Sequence, residues 1–125
     1  MMKARERPSE KEQYQNALSA VKSGESAKTQ LAFFMLSGRG GAKVDADRGV
    51  VLLEERAKDN DKDAKWMLGL CCEYGIGTEQ DIPRAESLYS QSCQLGSIIG
   101  TILMNNVDRE RSKRGGGYMK LTRLS

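Results

Sequence analysis

The residues of this 125-residue chain best suited to chemistry are its three cysteines, Cys71, Cys72 and Cys93. The count is odd, two of the three are adjacent and no CxxC spacing occurs, which makes a poor disulfide framework and a poor metal site. The chain has no histidine, which excludes both a Cys/His zinc site and a mechanism with imidazole as the base. We therefore expect reduced thiols in a cytoplasmic or nuclear protein, with Cys71 and Cys72 buried and with no catalytic residues, no metal and no cofactor.

Two other segments have compositions that binding sites also use. The run Gly38-Arg-Gly40-Gly41 is rich in glycine, but a phosphate-binding loop needs the spacing GxxxxGK[ST] after a strand, so we interpret the run as a turn. Residues 108–125 hold six basic side chains against two acidic ones. Such a segment either attracts nucleic acid, an acidic partner or an anionic surface, or is a solvated chain end. The basic residues are Arg109, Arg111, Lys113, Arg114, Lys120 and Arg123.

An internal repeat predicts the elements that must position these residues. The segment Ala27-Lys-Thr-Gln-Leu31 aligns with Ala64-Lys-Trp-Met-Leu68, and each reaches a Gly-x-Gly 11 residues after its alanine. The alanines are 37 residues apart, and Gly100 follows Ala64 by 36. Self-similarity at this period is typical of helical repeat arrays. The repeated positions are Ala27, Leu31, Gly38 and Gly40 in the first unit and Ala64, Leu68, Gly69, Gly75, Gly77 and Ala85 in the second.

Each repeated position suits a pair of antiparallel helices. Small residues let two helices approach closely, and the leucines fill the space between them. Gly38 and Gly75 suit the left-handed conformation that ends a helix, while Asp81 and either Asp45 or Asp47 suit the N-cap of the next one. The pattern predicts an all-α chain with helices at about 9–22, 25–37, 45–59, 62–74, 81–95 and 97–107.

The predicted organisation is a disordered N-terminus at residues 1–8, a repeat domain at 9–107 and a flexible basic tail at 108–125, which has too few apolar residues to fold alone. A half unit at 9–24 precedes the units 27–63 and 64–99, and a terminal helix at 97–107 follows them. Two units are fewer than the three or so that such arrays usually need. We expect either capping by the flanking helices or self-association through exposed ends. No apolar stretch approaches the length of about 18 residues that predicts membrane insertion.

This repeat resembles that of the Sel1-like family, relatives of the tetratricopeptide repeat. The second unit carries most of the family consensus, whereas the first has Ala32 and Asn60 at two glycine positions. The resemblance implies an α-solenoid, a right-handed superhelix of antiparallel helix pairs, and a non-catalytic adaptor. A cysteine-rich branch with hydrolase activity joins helix pairs by disulfides. Thr101 stands where a partner of Cys93 would be, so this chain departs from that branch.

The resemblance also implies a groove lined by the first helix of each unit. The residues at its positions are Lys28, Thr29, Phe33, Leu36, Lys65, Trp66, Leu70 and Glu73. Trp66 either anchors a partner peptide or packs between adjacent units, and for Phe33 we favour packing. The first hypothesis is therefore a scaffold that binds a protein, a peptide or further copies of itself. The alternative is a factor associated with nucleic acid or an acidic partner through the basic tail.

Overall fold

The computed structural model describes residues 8–21, 24 and 26–124, and their side chains except those of residues 26, 111 and 114–124. The helices are α1 (Glu10–Ala20), α2 (Ser26–Ser37), α3 (Ala46–Lys58), α4 (Lys62–Tyr74), α5 (Ile82–Gln94) and α6 (Ile98–Leu124), with a 3-10 turn at Arg39–Gly41. The all-α prediction is confirmed, and the four central helices end within one residue of their predicted bounds. The prediction of disorder at residues 1–8 lies, except for Pro8, outside the described residues.

The second helices of the repeat begin in the same way. Ser9, Asp45 and Asp81 stand 36 residues apart, and each side chain accepts a hydrogen bond from the backbone N–H three residues on. Such N-caps satisfy a donor that the first helical turn leaves free. The two aspartate caps confirm the prediction, with Asp45 rather than Asp47 in the first unit. The equivalent cap at Ser9 starts α1 in the same way as the two second helices, and the half unit at 9–24 stays a prediction.

Left-handed residues end the elements where the repeat predicts them. Gly38 has φ 73° and Gly75 has φ 69°, and the N–H of Gly75 donates to the carbonyl of Cys71 to close α4. Asn60 adopts φ 61° at the position where Gly96, one unit later, has φ 94°. Asparagine is among the few residues that tolerate this conformation, which explains how the first unit manages without the second unit's glycine.

The helices pack in consecutive pairs, α2 with α3 and α4 with α5. The first helices are also neighbours of one another, because α4 contacts both α2 and α6, whereas the backbones of α3 and α5 do not touch. The first helices therefore form the tighter layer of the array. The core between the layers has two parts: Ala17, Leu31, Phe34 and Ala42 at the N-terminal end, and a larger cluster that includes Ala32, Val50, Leu53, Ala64, Leu68, Cys71, Ala85, Leu88 and Tyr89.

The last helix differs from its prediction. We expected it to end near residue 107, because Arg111 occupies the position of the loop glycine that follows α4 one unit earlier. Instead α6 runs to Leu124. Arginine, glutamate and lysine are good helix formers, and Glu110 pairs with Lys113 one turn later at 3.9 Å, so nothing between residues 108 and 114 stops the helix. The boundary at residue 107 is therefore wrong.

Candidate partner-binding surface

The eight predicted groove residues all lie on the first helices α2 and α4, but they divide into two groups. Thr29 and Lys65 are buried, with 6% and 7% of their surface exposed. The other six are half-buried: Lys28, Phe33, Leu36, Trp66, Leu70 and Glu73. A buried side chain has little surface left for a partner. Only the six half-buried residues therefore stay candidates for partner contacts.

Thr29 forms a hydrogen bond that joins α2 to the start of α4. Its hydroxyl donates to Oδ2 of Asp61 at 2.8 Å, and Oδ1 of the same carboxylate accepts from the backbone N–H groups of Asp63 and Ala64 at the start of α4. One carboxylate thereby caps α4 and holds α2 against it. Thr29 therefore stabilises the junction between units rather than offering a side chain to a partner.

Trp66 has both a packed and an open side. Its ring packs against the larger core cluster, and its indole N–H donates to Oδ1 of Asp63 at 3.0 Å, which fixes the ring orientation. The ring is nevertheless only half-buried. Ile102 occupies the same position one unit later on α6 and is 51% exposed. Packing and anchoring therefore both stay predictions for Trp66, since the ring has a packed side and an open side.

Three other half-buried apolar side chains lie on the first helices. Phe33 packs edge to face against the buried Phe34, with ring centroids 5.3 Å apart. Leu36 and Leu70 pack against the larger core cluster and keep part of their surface open. We call the set of Phe33, Leu36, Trp66, Leu70 and Ile102 the first-helix surface.

Two lysines at equivalent positions have different partners. Lys28 on α2 forms an ion pair with Glu55 on α3, with Nζ and Oε2 3.2 Å apart. Lys65 on α4 donates instead to the amide oxygen of Gln91 on α5, which stands 36 residues after Glu55. The first ammonium thus has a carboxylate counter-charge within its unit, and the second has a neutral amide.

Glu73 and Tyr89 form a polar contact inside the second unit that the sequence did not predict. The tyrosine hydroxyl donates to Oε1 of Glu73 at 2.6 Å, and the tyrosine is fully buried. Burial first, and then the hydrogen bond to the Glu73 carboxylate, raises the pKa of Tyr89 above its ordinary value. The same positions in the first unit hold two apolar residues, Leu36 and Leu53. Aligning the two units therefore shows that both positions become polar together in the second unit, which is a sequence signal for the pair.

The paired helices, the repeated N-caps and the repeated loop glycines agree with the comparisons to known proteins. The Sel1 repeat model matches residues 26–61 and 62–97. This chain belongs to the Sel1 repeat family. The matched residues coincide with α2 to α5, so both complete units are Sel1 repeats.

Solved structures with the same fold support this assignment. The crystal structure of a Sel1 repeat protein from Oxalobacter formigenes is similar with a TM-score of 0.62 and 24% identity over 71% of this chain. A protective antigen of uropathogenic Escherichia coli strains, described as displaying an SLR fold, is similar with a TM-score of 0.61 and 22% identity over 78% of this chain. The alignments cover 66% and 20% of those chains. No curated protein matches the sequence.

Two cysteines of this Sel1 chain, Cys71 and Cys72, pack in the core, whereas Cys93 is half-buried. Cys71 and Cys72 are buried, as predicted, and both are free thiols. Burial first, with the neighbouring Cys72 second, raises the pKa of the Cys71 thiol to about 11. Burial also raises the pKa of Cys72 despite the nearby Arg84 guanidinium. Both side chains are therefore neutral thiols near pH 7, the form that is a poor nucleophile and a poor metal ligand. Among the described residues no group of acidic or cysteine side chains could hold a metal ion.

The two ends of the Sel1 array differ in the apolar surface they expose. The start of α6 and the turn before it expose Leu95, Ile98, Ile99 and Ile102, with Ile98 at 78%. On α1 the exposed large apolar side chain is Leu18, at 37%. Of the predicted basic tail, Arg109 and Lys113 are exposed, and the side chains of the other four basic residues lie outside the described part. No helix within the described residues is long and apolar enough to span a membrane.

Proposed function

We propose that this Sel1 repeat chain is a non-catalytic adaptor that binds another protein or peptide along its first-helix surface. The observation that carries the proposal is the placement of Trp66 and Ile102. Both occupy the same repeat position on neighbouring first helices, both keep an exposed edge, and the Trp66 ring is held in place by its bond to Asp63. Pre-oriented aromatic side chains next to apolar ones are typical of residues that dominate binding energies.

The surrounding packing supports an adaptor rather than an enzyme. The side chains suited to nucleophilic chemistry, Cys71 and Cys72, are buried and protonated, and Tyr89 is buried with a raised pKa. The repeated glycines and small residues serve helix contacts and turns. Function is then left to the exposed faces of the helices. The free thiols suit a reducing compartment, which supports our proposal of a cytoplasmic or nuclear location.

Affinity capture with the intact chain and with a Trp66→Ala variant tests the adaptor. We expect the variant to lose partners that the intact chain retains, while Val51→Ala, a change at an exposed apolar residue on α3, keeps them. Thermal unfolding of each variant shows that it is folded. Equal partner sets for Trp66→Ala and the intact chain would contradict a first-helix binding surface.

Self-association through the C-terminal end is a second part of the proposal. It is supported by Ile98, Ile99 and Ile102, which leave an apolar face on the last helix of the array. Light scattering after size exclusion should give a dimer for the intact chain and a monomer for Ile98→Ser with Ile102→Ser. A monomeric intact chain at micromolar concentration would exclude this part and leave the adaptor untouched.

The basic tail remains a prediction of a nucleic-acid or acidic-partner site. It is supported by the charge of residues 108–125 and by the exposure of Arg109 and Lys113. If it is correct, RNA binding should weaken steeply with salt and disappear when residues 108–125 are deleted. RNA binding that survives the deletion would contradict it.

A further inference from the structure

The start of α6 carries exposed isoleucines that the repeat itself does not require. Ile98 and Ile99 are both exposed, Ile98 by 78%. One unit earlier their positions hold Lys62 and Asp63, which are exposed although a further first helix, α6, follows their unit. Neither the core nor a further unit of the array therefore explains the isoleucines at these two positions.

The same face of α6 continues into basic residues. Ile102 follows Ile98 by one helical turn, Arg109 follows Ile102 by about two turns, and Lys113 follows one turn later, so they share one side of the helix. Arg109 and Lys113 are exposed there. Glu110 meets Lys113 at 3.9 Å in an exposed contact. We call Ile98, Ile99, Ile102, Arg109 and Lys113 the outer face of α6; it changes from aliphatic to positively charged along its length.

The outer face lies away from the side by which α6 packs on the array. Leu103, Met104 and Val107 pack against the larger core cluster, and Gly100 lies against Ser92 on α5. These positions are turned by about 140° around the helix axis from the isoleucines. Among the described helices only α4 and α5 contact α6. The outer face is therefore an open ridge on the last helix, and a flat partner can meet it along its length.

We propose that the outer face of α6 binds an anionic lipid surface, with the helix lying on the membrane and not crossing it. The isoleucines enter the apolar boundary of the bilayer, while Arg109 and Lys113 meet the phosphate and carboxylate groups of the lipid heads. Charge complementarity selects anionic lipid, because residues 108–125 hold six basic side chains against two acidic ones. The inference goes beyond the adaptor function, which uses neither basic residue.

Two other occupants match only half of the outer face. A second copy offers isoleucines to isoleucines, but the segment that carries them, residues 87–107, contains no acidic side chain to meet Arg109 and Lys113. Nucleic acid meets the basic residues and leaves the isoleucines in water. An anionic bilayer has an apolar layer beneath a charged one, so it satisfies both halves together.

Co-sedimentation of the intact chain with phospholipid vesicles tests the inference. One set of vesicles contains phosphatidylcholine alone, and the other contains about one third phosphatidylserine. We expect the chain to bind the anionic set about tenfold more tightly than the neutral set, with binding that declines as salt is added. Equal binding to both sets, or binding to neither, overturns the inference.

A first pair of variants tests the apolar half of the face. Ile98→Ser with Ile99→Ser should weaken binding to the anionic vesicles about tenfold, because both side chains lose their place in the apolar boundary. Val44→Ser with Val51→Ser is the matched control, since both valines are exposed in the first unit. It should bind as the intact chain does. Binding that the isoleucine variant retains in full overturns the inference, because charge alone then holds the chain.

A second pair of variants tests the basic half. Arg109→Gln with Lys113→Gln should also weaken binding to the anionic vesicles about tenfold. Arg48→Gln with Lys58→Gln removes the same charge from exposed positions on α3 and should leave binding unchanged. An equal loss in the two variants would show attraction by net charge and overturn the assignment to α6.

A tryptophan reporter shows which surface enters the bilayer. Trp66 is the single tryptophan, so Ile99→Trp with Trp66→Phe leaves one indole on the outer face. Its fluorescence should move to shorter wavelength when anionic vesicles are added. Val51→Trp with Trp66→Phe should show no shift. The opposite result would place the contact on α3 and overturn the inference.

The remaining outcomes separate this inference from the functions proposed above. Binding of RNA or polyglutamate without binding of the anionic vesicles overturns it and leaves the basic-tail prediction standing. A chain that stays dimeric in the presence of the vesicles and does not bind them overturns it and leaves self-association standing. Vesicle binding by a chain that captures no protein partner supports it and counts against the adaptor.

Discussion

The two complete units share one backbone plan but use different side chains at the place where their helices cross. In the first unit Ala32, Leu36 and Leu53 meet in an apolar crossing, with Ala32 and Leu53 fully buried. In the second unit the equivalent residues are Gly69, Glu73 and Tyr89, so a smaller residue, a charge and a larger ring replace them. A Cβ on the glycine would lie 2.5 Å from the tyrosine ring. The two crossings therefore have similar total side-chain volumes but differ in polarity.

The connection between units is common to both. The second loop glycine of each unit rests on the first residue of the preceding second helix: a Cβ on Gly40 would lie 2.5 Å from the carbonyl oxygen of Glu10, and one on Gly77 would lie 2.5 Å from that of Ala46. Both glycines have φ near 70°. Comparison of the units thus separates variable crossings from an invariant connection.

The largest effect should come from Gly77→Ala. The new methyl overlaps the Ala46 carbonyl and the backbone has φ 69°, so we expect a loss of about 3–5 kcal/mol in the free energy of unfolding. Gly41→Ala is the matched control, because its φ is 82° but nothing lies within 4 Å of its Cβ. It should cost about 1–2 kcal/mol, the strain of the backbone alone. Urea unfolding followed by circular dichroism measures both, and equal losses would show that the connection tolerates a side chain.

The next largest effect should come from a change at the helix crossing of the second unit. Gly69→Ala forces a methyl into the Tyr89 ring and should lower the free energy of unfolding by about 1–3 kcal/mol. A triple variant that combines Gly69→Ala with Glu73→Leu and Tyr89→Leu reproduces the crossing of the first unit, where the same positions hold alanine and two leucines. The triple variant should be more stable than Gly69→Ala with Glu73→Leu. If it is less stable, the two crossings are not interchangeable.

A smaller effect belongs to the hydrogen bond between Tyr89 and Glu73. Tyr89→Phe keeps the ring and removes the donor, and Glu73 is half-buried, so water can replace the lost hydroxyl. We therefore expect a loss of about 0.5–1.5 kcal/mol in the free energy of unfolding at pH 7. Leu53→Ala in the first unit tests packing alone and serves as a reference for the size of a core defect. A double-mutant cycle of Tyr89→Phe with Glu73→Gln isolates the pair, and a coupling energy near zero would contradict its contribution.

The same bond predicts a dependence on alkaline pH. The folded chain raises the pKa of Tyr89 above its ordinary value of 10.0, so the stabilisation is complete below pH 10. It is lost as the pH rises beyond 10, because the unfolded chain then releases a proton that the folded chain retains. The difference in stability between the intact chain and Tyr89→Phe should shrink from pH 9 to pH 11. A constant difference would show that the hydroxyl is not held protonated.

The smallest effect should come from the ion pair between Arg84 on α5 and Glu54 on α3. Two hydrogen bonds at 2.7 and 3.1 Å join the two second helices, but the side chains are 41% and 36% exposed. Exposed pairs contribute about 0–1 kcal/mol, so Arg84→Met should change stability by no more than that. The first unit has Arg48 and Leu18 at these positions and lacks the pair. A loss above 2 kcal/mol would mean that the second helices depend on this bridge.

The sequence predicted the parts of the fold that depend on spacing. Helix starts at Asp45 and Asp81 and helix ends at Gly38 and Gly75 follow from local chemistry, which recurs in the same order in each unit. The predicted end of α6 is wrong. Arg111 stands where the repeat has a loop glycine, and the missing glycine predicts the end of the array. Arginine is nevertheless a good helix former, so the helix continues through this position.

The candidate site was harder to predict, because its partners come from different helices. Their positions in the repeat predict that Thr29 and Lys65 line the groove. In the structure both side chains are buried and bind Asp61 and Gln91 on neighbouring segments. The close approach of Gly77 to Ala46 also joins residues about one unit apart, so no local pattern reveals it. For Trp66 the sequence predicts two alternatives, an anchor for a partner and a residue that packs between units, and the half-buried ring has surface for each.

The contact of Gly77 with Ala46 has a consequence for how such a chain grows. The nearest atom is a carbonyl oxygen, which every amino acid possesses, so the connector does not depend on the side chain of Ala46. One duplicated segment of 36 residues, such as 62–97, carries its own connector and offers an equivalent carbonyl at Ile82 to its successor. Gene duplication, or a designer, could therefore lengthen the array one segment at a time without rewriting the segments already there.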